Sequence, residues 1–301
     1  MARYATSSET VLGRRLATFA LVTSALALIG YLFFCLTRLR VTRLTFRPAE
    51  WPAELGGARI ALLSDFHLGQ LGTLRRIIAK AIEIADEFKP DLTVLAGDYF
   101  DGPISPANIA PLAGLRDHTA VIGVLGNHDY ARGPHHLART IAILTSLGVS
   151  ILRNDSCLLA VNGRPLRLVG LDDPFTIRDD IEVARAGLTD DGIPTLLIAH
   201  APVLSALGDL TCTALVLCGH THGGQIRLLN SGRIPAKRLI RWLVGEHGRR
   251  HDPDFHRGVN CVADTPIVIS DGLGVSLLPL RFRTRPHLIL IEMNSSLRKL
   301  D

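Results

Sequence analysis

Five short blocks of this sequence carry side chains that can bind a metal. They are Asp65-x-His67, Gly97-Asp98, Gly126-Asn127-His128-Asp129, His200 and Gly219-His220-Thr221-His222. Carboxylate and imidazole donors in one set suit a divalent cation of intermediate hardness, such as Mn, Fe or Zn. Singly, each block is weak evidence: an Asp after a strand is commonly a turn former or helix cap. Their placement gives them weight, because each follows an apolar run of strand length, at 60–63, 92–96, 121–125, 196–199 and 215–218. Glycines beside three of the blocks permit the tight turns and close backbone approach that aim side chains at a common point.

Continuous apolar strands imply sheets covered on both faces. Between the first two runs, Leu74, Ile77, Ile78, Ala81, Ala85 and Phe88 form one stripe of a helix. Thr73 is placed to cap its start and Pro90 lies just past its end. Further strands are expected at 149–152, 158–162, 166–171, 266–270 and 287–292. The alternation is that of a single α/β domain over 58–301, with the strands' C-terminal ends meeting at one rim.

Complete and in order, the five blocks resemble the signature of the calcineurin-like metallophosphoesterase superfamily, from residue 59 to about 293. The resemblance implies a four-layer αββα sandwich with two divalent metal ions at the strand ends. Asp65, His67 and His222 would hold one metal, Asn127, His200 and His220 the other, and Asp98 would bridge both. Two such cations, ~3.5–4 Å apart, can share a hydroxide and clamp phosphate oxygens. His128 would assist the leaving oxygen and Asp129 would orient its imidazole. Asp172 and Asp173 read as structural.

Departures from other branches narrow the reading. The block Gly97-Asp98-Tyr99-Phe100-Asp101-Gly102 lacks the phosphate-binding arginine of protein Ser/Thr phosphatases. His128 stands where the main UDP-2,3-diacylglucosamine hydrolases have Arg. The N-terminal hydrophobic segment, the run 126–130, Gly170-Leu171-Asp172-Asp173 and Asp271-Gly272-Leu273-Gly274 resemble the YaeI/YkuE-type phosphodiesterase branch. The implied function is hydrolysis of phosphodiester or pyrophosphate bonds. The alternatives are a UDP-2,3-diacylglucosamine pyrophosphatase of lipid A synthesis and a metal-stabilised, non-catalytic membrane scaffold. The latter would be marked by loss of ligand residues, and none is missing.

The charge of the chain has an uneven origin. Lys+Arg 33 against Asp+Glu 28 gives +5, yet residues 1–47 hold seven arginines and one acid, leaving a nearly neutral remainder. Such a body lacks the broad positive field that nucleic acid requires, so no nucleic-acid partner is expected; no protein partner is implied. Residues 16–37 run for 22 positions without a charge, enough for a helix to cross a ~30 Å hydrocarbon layer. The run is longer than a signal-peptide core and its small residues lie in mid-segment, so a retained single-pass anchor in the cell (inner) membrane is the expectation. Arginines flank both sides, with a slight excess that leans towards a cytoplasmic catalytic domain. Residues 38–57, punctuated by Pro48, Pro52 and Gly56-Gly57, read as a linker.

A basic insert at 233–257 mixes seven cationic residues with Leu239, Ile240, Trp242, Leu243 and Val244. It could rest on an anionic membrane or cradle a phosphorylated lipid head, or be an ordinary surface helix. Arg238 and Arg241 from this insert, with Arg132 and His135 after the third block, are the candidate contacts to a phosphorylated small-molecule or lipid-linked substrate.

Overall fold

Two six-stranded sheets stack face to face, and their inner faces share one apolar core. The computed structural model describes residues 5–48, 51–188, 191–227, 255 and 257–294. Its strands are β1 (Arg40–Phe46), β2 (Ala58–Leu63), β3 (Leu92–Ala96), β4 (Val121–Val124), β5 (Val149–Ile151) and β6 (Asp155–Val161). They continue with β7 (Arg164–Gly170), β8 (Thr195–Ala199), β9 (Thr213–Cys218), β10 (Gly258–Val262), β11 (Thr265–Ile269) and β12 (His287–Met293). One sheet has the order β1-β12-β2-β3-β4-β5 and the other β10-β11-β9-β8-β7-β6.

The site-bearing strands sit in the parallel centre of each sheet. β2, β3, β4 and β5 pair in parallel, as do β7, β8, β9 and β11. Parallel pairing puts their C-terminal ends on one edge. Ile60, Leu62, Val94 and Ile289 from the first sheet meet Leu168, Leu196, Leu217 and Val268 from the second in the shared core. On the outer face of the first sheet, Ile78, Ala81, Ile82 and Ala85 of the helix Arg75–Glu87 pack against Ala61, Leu63, Leu95 and Leu290. Short helices at Ile181–Ala184 and Leu204–Leu207 contribute Ala184 and Leu207 to the outer core of the second sheet. The layering is that of the αββα sandwich.

The helix Ala5–Thr37 contains one stretch, Leu12–Thr37, long and apolar enough to cross a membrane. Only 6% of it is buried by protein, and Leu16, Phe19, Leu21, Leu26 and Ile29 are each at least 60% exposed on different sides. An apolar surface all round a helix is what a membrane span presents, so length, composition and exposure make this helix a candidate span. The hydroxyls of Thr18, Thr23 and Thr37 donate back to the carbonyls of Arg14, Phe19 and Phe33, so they need no water.

Three details of the sequence reading are corrected. Residues 38–57 do not act only as a linker, because β1 lies within them and pairs in parallel with β12 from Arg40↔His287 to Phe46↔Met293. As a half-exposed edge strand it lacks the continuous apolar run of its central neighbours. β10 at the edge of the other sheet escaped detection for the same reason. Thr73 does not cap the helix that follows, which has Leu74 at its N-cap and no side-chain cap bond. The Thr73 hydroxyl instead accepts from Val275 N at 3.1 Å and ties the loop after β11 to the first sheet.

Candidate functional site

Backbone conformation at the rim is unusual before any side chain is considered. Asp65, His67, Asp98, His220 and His222 have φ of 50°, 42°, 59°, 69° and 53°. The left-handed region costs an L-residue on the order of 1 kcal/mol or more, and it clusters at functional sites. Here it turns the chain sharply at strand ends and points five donors inward. Neighbouring glycines make room: a Cβ on Gly126 would lie 2.3 Å from Asp98 Oδ1, and one on Gly97 would lie 2.8 Å from His200 Nδ1.

Two donor sets result, and they share one atom. In the first, His67 Nε2 lies 3.0 Å from His222 Nε2 and 3.4 Å from Asp98 Oδ2, while His222 Nε2 is 3.3 Å from Asp65 Oδ1. In the second, His200 Nε2 is 3.3 Å from the same Asp98 Oδ2 and 3.2 Å from Asn127 Oδ1. His220 Nδ1 completes it, 3.0 Å from Asn127 Oδ1 and 3.1 Å from His200 Nε2. Ligand bonds of about 2.0–2.2 Å in tetrahedral or octahedral geometry place adjacent donors roughly 3.0–3.5 Å apart. The observed spacings match the edges of such coordination polyhedra. The donor chemistry and spacing fit divalent cations.

Hydrogen bonds decide which atom each candidate donor offers to the site. Asp98 Oδ1 accepts from His128 N at 2.9 Å, which directs Oδ2 to the shared position. The carbonyl of Ala96 can only accept, so His200 Nδ1 donates to it at 2.7 Å and Nε2 keeps its lone pair for a ligand. His220 N donates to both oxygens of Asp65, at 3.0 and 3.1 Å. All of these candidate donors except Asn127 are buried.

Burying so many polar groups moves their proton affinities. Burial raises Asp65, next to Asp98, and lowers His67. Burial also acts to raise Asp98, but the fields of His200, His128 and His67 hold it well below the usual carboxylate range. His200 goes the other way: burial opposes its charge, yet Asp98, Asp65 and Asp173 push it up to about 10. Metal binding would displace that proton.

Around this core the structure revises the expected roles. Asp129 does not orient His128. Its carboxylate is fully buried and accepts from Asp98 N, Tyr99 N and Gly126 N at 2.8–2.9 Å. It joins the second and third blocks, and burial beside Asp98 raises it to about 7. Asp101 takes the position expected of Asp129. Its Oδ1 is 3.2 Å from His128 Nδ1 and its Oδ2 is 3.5 Å from His67 Nδ1. Burial would raise Asp101, but these two imidazoles hold it far below the usual range. The sequence signal was available, since Asp101 lies three residues after Asp98 and Gly102 follows it.

Arg132 borders the site from the solvent side, bonding the Asp101 carbonyl through Nη2, with Nε 3.6 Å from Asp101 Oδ1. His135 is exposed at the start of the helix Pro134–Ser146, whereas its neighbour His136 reaches the Gly102 carbonyl at 3.3 Å. Arg238 and Arg241 lie outside the described residues. Asp172 accepts from Tyr130 Oη and Arg153 Nε, and Asp173 caps the turn Pro174–Thr176 through Phe175 N and Thr176 N. That turn sets Phe175 against His220, with ring centroids 4.6 Å apart, a contact with no signal in the sequence.

Residues 58–224 match the calcineurin-like phosphoesterase family. The chain is 29% identical over 265 residues to the uncharacterized metallophosphoesterase YkuE of Bacillus subtilis, covering 86% of each chain. It is 30% identical over 239 residues to the phosphodiesterase YaeI of Escherichia coli, covering 78% of this chain and 82% of that one. A Bos taurus transmembrane protein with metallophosphoesterase domain is 30% identical over 306 residues, 95% of this chain and 64% of its own. The chain spans about half the length of a similar Caenorhabditis elegans protein. It belongs to the calcineurin-like phosphoesterase family, whose members are metal-dependent phosphoester hydrolases.

Proposed function

We propose that this chain is a dinuclear metal-dependent phosphoesterase, held at the inner membrane by residues 12–37, that hydrolyses phosphodiester or pyrophosphate bonds. The observation that carries the reading is the sharing of Asp98 Oδ2 by two donor sets, 3.4 Å from His67 Nε2 and 3.3 Å from His200 Nε2. A pair of divalent cations, Mn, Fe or Zn, would supply Lewis acidity towards phosphoryl oxygens and make water a competent nucleophile at neutral pH.

The protein's own groups do the remaining work. Asp65, His67, His222 and Asp98 would hold one cation, and Asn127, His200, His220 and Asp98 the other. His128 lies beside the first set, its ring centroid 4.7 Å from that of His67. With Nδ1 engaged by Asp101, Nε2 is the nitrogen that meets a phosphoryl or leaving oxygen and donates its proton as the ester bond breaks. Asp101 steadies that imidazole through Nδ1. The contact of Arg132 with Asp101 on the exposed side supports a role for this arginine in meeting a phosphate oxygen.

The name of the Escherichia coli relative supports a diester over a monoester substrate. The apolar helix beside the domain supports a lipid-linked one. A substrate screen on metal-loaded full chain tests this: aryl phosphodiesters, nucleotides and UDP-diacylglucosamine against Asp98→Ala as control. Hydrolysis of a diester or pyrophosphate by wild type, lost in Asp98→Ala, is the expected result. Turnover of none of these by the loaded protein would refute the reading.

A further inference from the structure

The path of the chain from the apolar helix into the first sheet sets which face of the domain meets a membrane. Every residue from 12 to 30 is exposed, and contact with the domain comes only in the last turns of the helix. There the Tyr31 ring meets Phe282 edge-on with centroids 5.5 Å apart, and Cys35 is buried. Phe282 belongs to the loop that leads into the start of β12. Two residues separate Thr37, the end of the helix, from Arg40, the start of β1. Both sides of this junction are bonded: Arg38 N donates to Phe34 O at 3.1 Å and Arg40 N to Pro286 O at 2.7 Å.

Sheet register puts the junction on the metal-binding rim. β1 runs parallel to β12, with Arg40 opposite His287, and β12 runs antiparallel to β2, with Ile289 opposite Leu62. The start of β1 thus lies on the same edge as the end of β2, which carries Asp65. Two strand spacings of ~4.8 Å separate them, about 10 Å. A short chain of bonds covers that distance. Arg40 Nη2 is 2.9 Å from Asp271 Oδ2, and Gly274 N, three residues on, donates to Asp65 O at 2.7 Å.

A count along the helix sets the depth. About 20 residues cross a ~30 Å hydrocarbon layer, and the twentieth from Leu16, the first after Arg15, is Cys35. Tyr31, where the domain makes contact, then sits at the boundary of acyl chains and head groups, as aromatic side chains prefer. The rim carries apolar groups that suit this depth. Leu71, in the loop after His67, is 78% exposed, and Leu277, in the loop that reaches Phe282, is 45% exposed. The two loops touch: a Cβ on Gly72 would lie 2.7 Å from Pro279 Cα. Leu277 is held in the left-handed region, at φ 64°, which costs an L-residue on the order of 1 kcal/mol. Gln225, three residues after His222, clamps that turn. Its buried amide donates from Nε2 to Ser276 O and Leu278 O, and its Oε1 accepts from Ser276 N, each at 2.9 Å.

We propose that the metal-binding rim faces the bilayer that holds the helix, seats Leu71 and Leu277 in it, and takes its substrate from it, a phosphodiester or pyrophosphate borne by a membrane lipid. The orientation rests on residues 12–37 spanning a membrane, and the substrate class rests also on the hydrolytic reading. A lipid brings its phosphate to the donors by diffusing in the membrane plane, whereas a soluble substrate has to enter between rim and bilayer.

The test uses the full chain in phosphatidylcholine vesicles and reads orientation and substrate separately. Orientation is read from quenching by brominated phosphatidylcholine of tryptophan in Leu71→Trp, Leu277→Trp and the control Asp86→Trp, after subtraction of wild-type emission. Asp86 is exposed near the end of the helix Arg75–Glu87, on the opposite edge of the sheet, where β3 starts. The two leucine variants should lose most of their added emission and the control almost none. Quenching at 71 and 277 no greater than at 86 overturns the orientation, whatever the protein hydrolyses. For the substrate, metal-loaded chain is given the nitrophenyl ester of phosphatidic acid in its own vesicles, the same ester in separate vesicles, and soluble nitrophenyl ethyl phosphate. Water attacks phosphorus, the aryl P–O bond breaks, and the lipid ester releases nitrophenol and phosphatidic acid. Confinement to one surface should make release from its own vesicles roughly a hundredfold faster than from separate ones. Equal rates from the two vesicle populations, or turnover of the soluble diester alone, overturn the lipid substrate and leave the hydrolytic reading intact. Turnover of none refutes that reading, and the quenching still decides the orientation.

Discussion

Substituting Asp101 by Asn separates the role of this residue from metal binding. Asn preserves shape and an acceptor at Oδ1 but removes the charge opposite His128 Nδ1, 3.2 Å away. At an effective dielectric of about 20, a full ion pair at that distance is worth about 5 kcal/mol, an upper limit. Both side chains are partly exposed, at 22% and 14%, so solvent screens the pair well below that limit. Removing groups that orient a working imidazole costs about 10–100-fold, which sets the expected fall in kcat for Asp101→Asn. If His128 protonates the leaving oxygen, the deficit should widen as the leaving group becomes more basic, from a nitrophenyl to a phenyl diester. The assay is steady-state hydrolysis of that diester series, with bound metal counted for each preparation. Retention of wild-type kcat across the series would refute the orienting role. An equal deficit for every leaving group, accompanied by lost metal, would place the effect in His67 instead, since Asp101 Oδ2 also lies 3.5 Å from His67 Nδ1.

The structure sets further expectations. Asp129→Ala strands three buried backbone N–H groups, each costing about 1–3 kcal/mol, so it should lower the melting temperature by roughly 10 °C, whereas Asp101→Asn leaves it almost unchanged. Similar melting temperatures for the two variants would contradict that division of roles. Gly126→Ala drives a methyl group to 2.3 Å from Asp98 Oδ1 and should reduce turnover roughly 100-fold, read in the same diester assay. Burial, with Arg40 and Arg257 nearby, holds His287 down to about 2. Because its folded pKa lies below the unfolded value near 6.5, the stability it contributes is complete above about pH 6.5. It is lost as pH falls, by at most about 1.4 kcal/mol per pH unit. Thermal melts of wild type and His287→Gln should therefore converge on acidification from pH 7.5 to 5, and a constant gap would count against this.

Much of the site was legible because its chemistry and its scaffold repeat the same message. Seven donors fall at the ends of five apolar strands, and parallel central strands leave little choice about where those ends meet. The edge strands carried no such redundancy. β1 reads Arg-Val-Thr-Arg-Leu-Thr-Phe, alternately half-buried and exposed, and prolines on its C-terminal side made it look like a linker. The exchange of Asp101 for Asp129 was illegible for a different reason. Adjacency in sequence placed Asp129 beside His128, but the turn of helix at Asn127–Ala131 points it back to Asp98 N and Gly126 N.

The central claim is that Asp98 bridges two cations, and anomalous diffraction from crystals of the Mn-loaded full chain tests it most directly. The account predicts two peaks ~3.5–4 Å apart. One should lie among Asp65, His67 and His222, the other among Asn127, His200 and His220, with Asp98 Oδ2 between them. A single peak at full metal loading, or a second peak away from His200 and His220, would contradict it.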